Sequence, residues 1–136
     1  MPSRYSWFLV AAVLGVVALS ATLVFAGVGG ERGVVAAADI GEMIAVGVSA
    51  VAILRSAAKL GSRTSVGRPW LLIGVGALMY AIGDAIWTVM EVGLRADIAY
   101  PGISDIFYLL EYPFVAAGIL SAGLAFRQLV PMRKPI

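Results

Sequence analysis

The chain contains no cysteine and no histidine among its 136 residues, and only 13% of its residues are charged. Without cysteine, disulfides and thiolate chemistry are excluded. Without histidine, the chain lacks the commonest protein ligand of haem, zinc and copper. No phosphate-binding loop or nucleophile motif is present in the sequence either. These absences predict a protein that is not an enzyme and that holds neither a cofactor nor a metal.

Hydrophobic residues dominate instead, at 61% of the chain with a mean hydropathy of +0.96. Soluble globular domains rarely have this composition, which indicates that the bilayer is the solvent. A helix needs about 20 apolar residues to cross the hydrocarbon core. Four stretches reach that length: 6–27, 34–56, 69–93 and 103–128. Because only short connections remain between them, we predict one domain over residues 1–136, an all-α polytopic membrane protein built as an antiparallel four-helix transmembrane bundle.

The first stretch also has the features of a secretory signal. Arg4 precedes it, and Val24-Phe25-Ala26 resembles a small-residue cleavage site. The apolar run is long for a signal peptide, so we predict a membrane helix. Small residues that recur along it at helical spacing, and that permit close packing within the bundle or between subunits, are Ala11, Gly15, Ala18 and Thr22.

Lysine and arginine are distributed unevenly between the two ends of the predicted helices. Eight of the ten fall on one side, namely Arg4, Arg55, Lys59, Arg63, Arg68, Arg127, Arg133 and Lys134. Only Arg32 and Arg95 fall on the other side. Because positively charged loops stay in the cytoplasm, we predict a multi-pass protein of the cell membrane with both termini cytoplasmic. This orientation explains the net charge of +2 without a nucleic-acid partner.

Several acidic residues fall inside the predicted spans, where an ionised carboxylate costs about 2.5 kcal/mol or more. Such residues usually face the bundle interior or form pairs. Counted from the outer helix ends at about 1.5 Å per residue, Glu42, Asp84 and Glu111 each lie about 14 Å deep and are expected to share one layer. The acids nearer the outer surface, which would extend this layer into a funnel, are Asp39, Glu91 and Asp105.

Aromatic residues share helix faces with these acids. Carboxylates beside aromatic rings suit a small cation, through charge and cation–π attraction, or a small polar ligand. We therefore predict an outward-facing ligand pocket formed by Asp84, Trp87, Glu91, Glu42, Glu111, Asp105, Tyr108, Tyr112 and Tyr80. In the alternative interpretation, the same groups only hydrogen-bond to one another across helices.

Two segments of the second half carry a family resemblance. They are Gly83-Asp84-x-x-Trp87-x-x-x-Glu91, and Tyr100-Pro101-Gly102-Ile103-Ser104-Asp105-Ile106-Phe107-Tyr108-Leu109 with Tyr112-Pro113. Over residues 71–124 this pattern resembles multi-helix membrane sensor modules, which precede GGDEF, EAL or histidine-kinase domains in bacterial and archaeal signalling proteins. The resemblance implies a sensor with Asp84, Trp87, Glu91, Asp105, Tyr108, Tyr112 and Pro113 at motif positions. No output domain follows within the 136 residues, so such a sensor needs a partner.

The sequence thus favours a non-enzymatic membrane sensor or ligand-binding module. Its expected partners are the lipid bilayer, a small cation or polar ligand, and either a second copy of the chain or a signalling protein in the cytoplasm or membrane. One alternative is a small cation- or proton-coupled transporter that uses Glu42 or Glu111, although the halves show no inverted repeat. Another is a structural subunit of a membrane assembly.

Overall fold

The computed structural model describes residues 4–129, with side chains for residues 7–127. Arg133 and Lys134, and the side chain of Arg4, lie outside that part. The described chain consists of α1 (Arg4–Phe25), α2 (Gly30–Leu60), α3 (Gly67–Thr88) and α4 (Ile103–Leu129), and it contains no strand. All four helices are long and apolar enough to cross a membrane. The prediction of an all-helical chain with four such helices is confirmed.

The largest difference from the predicted spans is in α2, which runs for 31 residues from Gly30 to Leu60 rather than from 34 to 56. Its first turn contains Glu31 and Arg32, which hydropathy excludes from a span although both residue types form helices readily. At 1.5 Å per residue α2 is about 46 Å long. That is longer than a hydrocarbon core of about 30 Å, so α2 is long enough to span one with tilt or with its ends outside it.

The helices pack in chain order as an open row. α1 contacts α2, α2 contacts α3, and α3 contacts α4 most extensively, while no other pair of described helices brings Cα atoms within 8 Å. The start of α2 lies beside the end of α3, where Arg32 and Arg95 line one cleft. We call this the cleft end. The start of α3, at Arg68, lies beside the end of α4, and we call this the basic end.

Glycine brings α3 and α4 together. A Cβ at Gly118 would lie 2.6 Å from Ile73 Cγ1 and 3.1 Å from the carbonyl oxygen of Pro69. A Cβ at Gly76 would lie 2.7 Å from Val115 Cγ2. Small residues in membrane helices allow backbones to approach closely and gain van der Waals contact. α3, packed on both sides, is the central helix of the row.

The small-residue seam predicted on α1 does not face α2. Its four members are exposed, and a Cβ built on Gly15 would have nothing within 4 Å. α1 instead uses Ser20, whose hydroxyl donates a hydrogen bond to the carbonyl oxygen of Ala37 and lies against Gly41. Helical spacing identified a set of small residues, but the contact face depends on which side α2 occupies.

Candidate functional site

Two tyrosine–carboxylate pairs join three helices near the middle of the row. The Tyr80 hydroxyl of α3 donates a hydrogen bond to Glu42 Oε1 of α2 at 2.8 Å. The Tyr108 hydroxyl of α4 lies 3.5 Å from Asp84 Oδ1 of α3, at the outer limit of hydrogen bonding. The two tyrosine rings are tilted by 52° with their centroids 5.1 Å apart, a favourable aromatic geometry. Tyr80 and Asp84 lie one turn apart on the central helix α3, so together they contact both α2 and α4.

Four acids form a carboxylate cluster where α2 faces α3 and the π-helical turn Val89–Leu94 that follows α3. They are Asp39, Glu42, Asp84 and Glu91. Asp39 lies within electrostatic range of Glu91 and Glu42, and Asp84 lies within range of Glu42 and Asp39. None of the charged groups that act on Asp39 or Asp84 in the described chain is basic. Asp39 and Asp84 are therefore acids at a helix interface with only acidic groups among their charged neighbours in the described chain.

The interior of this cluster is incompletely hydrogen-bonded. Asp84 is only 5% exposed, yet its Oδ2 has no hydrogen-bond partner. Asp39 Oδ2 and the hydroxyl of Thr88, one turn beyond Asp84 and also 5% exposed, are buried without partners too. A buried polar group without a partner costs about 1–3 kcal/mol, and most native proteins avoid it. These atoms present acceptors to any donor that reaches the cluster.

A cleft of about 460 Å³ lies at the cleft end, beside the cluster. Its walls combine two guanidinium groups, two carboxylates and apolar side chains, from Glu31, Arg32, Val35, Ala36, Glu91, Val92, Arg95 and Ala96. Its volume falls in the range of small-molecule sites. Glu91 belongs both to the cleft and to the carboxylate cluster, so it links the two.

Glu91 lies in the π-helical turn Val89–Leu94 that ends α3. The N–H groups of Arg95 and Ala96 both donate to the carbonyl oxygen of Met90, which closes this wider turn. π-helical turns are rare and occur often at functional sites, because they change the face on which the following residues lie. The regular 3.6-residue spacing used on the sequence does not extend through this turn.

Among the predicted pocket residues, the structure brings together Tyr80, Asp84, Tyr108, Glu42 and Glu91. Asp39, which the sequence predicts in the outer funnel of acids, also belongs to the cluster. Thr88 is the additional member, and spacing could have found it, since it follows Asp84 by four residues. Arg32 and Arg95 also line the cleft, although the sequence suggested for them only a role in orientation.

The other predicted residues lie apart from the cluster or have a different partner. Glu111 is half-buried on α4, and it is not among the charged groups that act on Asp84 or Tyr108. Tyr112 is 67% exposed, and Trp87 is half-buried on α3. Asp105 Oδ2 accepts a hydrogen bond of 2.6 Å from the Gly102 N–H, as a third-position helix residue does in a capping box.

The expected common layer of Glu42, Asp84 and Glu111 therefore differs from the observed arrangement. Glu42 meets Tyr80 of α3, one turn from Asp84. Glu111 lies nearer the basic end on α4: its carbonyl oxygen would be 3.1 Å from a Cβ on Gly76, about two turns of α3 from Asp84.

Within the described residues no group of three or more acidic side chains is arranged to hold a metal ion. The cluster instead offers separate acceptors and aromatic rings, which suit an organic cation or a hydrogen-bond donor. No family model, curated protein or solved structure matches the chain. The chemistry of the cluster and the cleft therefore determines the functional interpretation.

Proposed function

We propose that this protein is a non-enzymatic, multi-pass membrane sensor or ligand-binding module. Its carboxylate cluster receives a small cation or polar donor. The observation that carries this proposal is Asp84, a carboxylate that is 5% exposed, has one unpartnered oxygen and is surrounded by further acids. Acids of this kind inside a membrane are costly and usually serve function. A bound cation or donor offsets the cost that the empty cluster bears.

The proposed orientation is an antiparallel row with both termini in the cytoplasm. It is supported by the basic residues of the loop between α2 and α3, and by the proximity of Arg32 to Arg95 at the opposite end. In this orientation the cleft opens to the outside of the cell.

The lack of native cysteine makes this orientation directly testable by labelling with a membrane-impermeant maleimide. Ser62→Cys and Ala99→Cys place single thiols in the two exposed loops. We expect Ala99→Cys to react on intact cells and Ser62→Cys to react only after permeabilisation. The reverse pattern contradicts the orientation.

Sensing is favoured over transport because α2 and α3, the helices that form the carboxylate cluster, carry no charged side chain over most of the distance to the basic end, although Glu111 of α4 lies beside Gly76 at that height. No charged residue lies between Glu42 and Arg55 on α2, or between Arg68 and Asp84 on α3. Ser49, within the first interval, donates its hydroxyl to the Ala45 carbonyl oxygen of its own helix. A ligand entering from the cleft thus finds no continuous series of charged side chains along the α2–α3 contact toward the basic end.

The central position of α3 offers a means of signalling. α3 carries the cluster on its contact with α2 and packs through glycine against α4. Closely packed helices shift as units, so neutralising the cluster changes the position of α3 between α2 and α4. A partner detects this shift at the basic end. The resemblance to membrane sensor modules supports this proposal, since Asp84, Glu91 and Tyr108 occupy its motif positions.

The test measures binding of ethylammonium to the purified full chain in nanodiscs, with thermal unfolding as the readout. We expect wild type to gain stability with ethylammonium concentration, because a ligand selective for the native state stabilises it by mass action. Asp84→Asn should lose this response. Asp97→Asn, which changes an exposed loop acid, should keep it.

Two outcomes contradict the proposal. If Asp84→Asn responds as wild type does, the ligand site lies elsewhere. If neither ethylammonium nor a panel of related amines changes the thermal stability of wild type, the acids serve internal hydrogen bonding. The chain is then better explained as a structural subunit.

A further inference from the structure

The cleft carries charges of both signs, which the carboxylate cluster alone does not explain. Glu31 and Arg32 lie at the start of α2, whereas Glu91 and Arg95 lie at the end of the α3 extension. We infer that this cleft binds a small zwitterion, with its ammonium group at Glu91 and its anionic group between Arg32 and Arg95. This inference deepens the proposed function and rests on it, since Glu91 belongs to both sites.

The inner wall of the cleft is suited to the ammonium group. Glu91 is half-buried and faces Asp39, whose Oδ2 is buried without a hydrogen-bond partner. An ammonium group brings three donors and a positive charge, so it compensates two adjacent acids at once.

The outer wall is suited to the anionic group. Arg32 and Arg95 come from different helices, and each presents a guanidinium that binds a carboxylate or phosphate in a forked geometry. Arg32 lies in the first turn of α2, where the positive end of the helix dipole adds to its charge. Val35, Ala36 and Val92 supply an apolar surface between the two charged walls.

The charge balance of the cleft favours a zwitterion over a ligand of one sign. Two basic and two acidic side chains line the cleft, so a ligand of one sign meets repulsion as well as attraction. Glu31 in particular disfavours an anion that lacks an ammonium group. A zwitterion satisfies both walls. A free amino acid and the headgroup of phosphatidylethanolamine share this chemistry, and the test separates them.

The experiment measures affinity on the full chain in phosphatidylglycerol nanodiscs, with three ligands of equal carbon length: 4-aminobutyrate, butylammonium and butyrate. We expect 4-aminobutyrate to bind roughly tenfold more tightly than either single-charge analogue, or about 1.4 kcal/mol, because only the zwitterion makes charge-assisted hydrogen bonds to both walls. Arg95→Gln and Arg32→Gln should each remove that advantage and bind 4-aminobutyrate no better than butylammonium. Arg68→Gln, an exposed arginine at the basic end, is the matched control and should bind as wild type does.

Adding phosphatidylethanolamine to the nanodiscs separates the two sources. If the lipid competes with 4-aminobutyrate, the headgroup is the ligand; if the affinity stays unchanged, the ligand is a free zwitterion. Equal affinity for 4-aminobutyrate and butylammonium, with Arg95→Gln binding as wild type does, overturns the zwitterion inference. In that case the proposed function still stands if Asp84→Asn loses the ethylammonium response. No measurable affinity of wild type for 4-aminobutyrate also overturns the inference.

Discussion

The two ends of the helix row are held together by different kinds of contact. Toward the basic end, α3 meets its neighbours through glycine, with Gly74 against Leu54 of α2 and Gly118 against Ile73. Toward the cleft end, α2 and α3 meet through carboxylates and a tyrosine hydroxyl, and two of the carboxylate oxygens have no partner.

This difference separates close packing from unpartnered acids along α3, which takes part in both kinds of contact. Close glycine contacts exclude other molecules and gain van der Waals energy that a ligand cannot replace. Unpartnered buried acids have the opposite effect, since each lowers the stability of the protein. In the proposed function, a bound ligand supplies the missing partner. The comparison therefore predicts that substitutions at the two ends change the free energy of unfolding in opposite directions.

The largest effect is expected from Gly118→Ala. Its added Cβ would lie 2.6 Å from Ile73 Cγ1 and 3.1 Å from the Pro69 carbonyl oxygen, so α3 and α4 must separate. Overpacking of this kind costs about 1–3 kcal/mol of unfolding free energy. Gly123→Ala, on the same helix with nothing within 4 Å of the new Cβ, should be neutral or stabilising. Equal effects of the two substitutions in a thermal unfolding assay would contradict the proposed role of the glycine contact.

At Asp84 we expect a substitution to raise the free energy of unfolding rather than lower it. Asp84→Asn keeps the shape of the side chain and removes a charge that faces Glu42 and Asp39, so the protein without ligand should gain about 1–2 kcal/mol of stability. A loss of stability would mean that the carboxylate is a structural group, held by Tyr108. The measurement is unfolding in nanodiscs without added amines.

The number and helical nature of the spans followed from sequence because apolar length alone decides them. Long apolar runs with few charges have few alternatives to a helix in a membrane, and all four appear as helices. The first turn of α2 was missed, since Glu31 and Arg32 lower the hydropathy without disfavouring a helix. Hydropathy reports solvent preference, whereas helix ends depend on local propensity and on the glycine turn at Gly27–Gly30.

The site could be predicted only within one helix. Spacing correctly placed Tyr80 and Asp84 on a common face of α3, where they meet α2 and α4. Spacing says nothing of which helices are neighbours, and the open row leaves α2 out of contact with α4 among the described residues. For that reason Glu42 and Glu111 do not meet. The role of Asp105 was missed because capping depends on where α4 starts.

A smaller effect should come from Tyr80→Phe, which removes the hydrogen bond to Glu42 and leaves the ring against Tyr108. For a partly exposed hydrogen bond to a carboxylate, we expect the free energy of unfolding to fall by about 0.5–1.5 kcal/mol. Tyr112→Phe is the control, because that side chain is 67% exposed on α4. If both variants unfold as wild type does, the Tyr80–Glu42 bond does not hold α2 to α3.

The smallest effect is expected from Asp105→Ala, which separates a helix cap from a ligand group. The substitution removes the acceptor of the Gly102 N–H and a negative charge from the first turn of α4. Such a cap contributes about 0.5–1 kcal/mol. Because Asp105 acts at the start of its own helix, the variant should lose that stability while its response to ethylammonium stays at the wild-type level. A weakened ethylammonium response without any loss of stability would instead place Asp105 in the binding site, as the resemblance implies, and would extend the site from the α2–α3 contact to the start of α4.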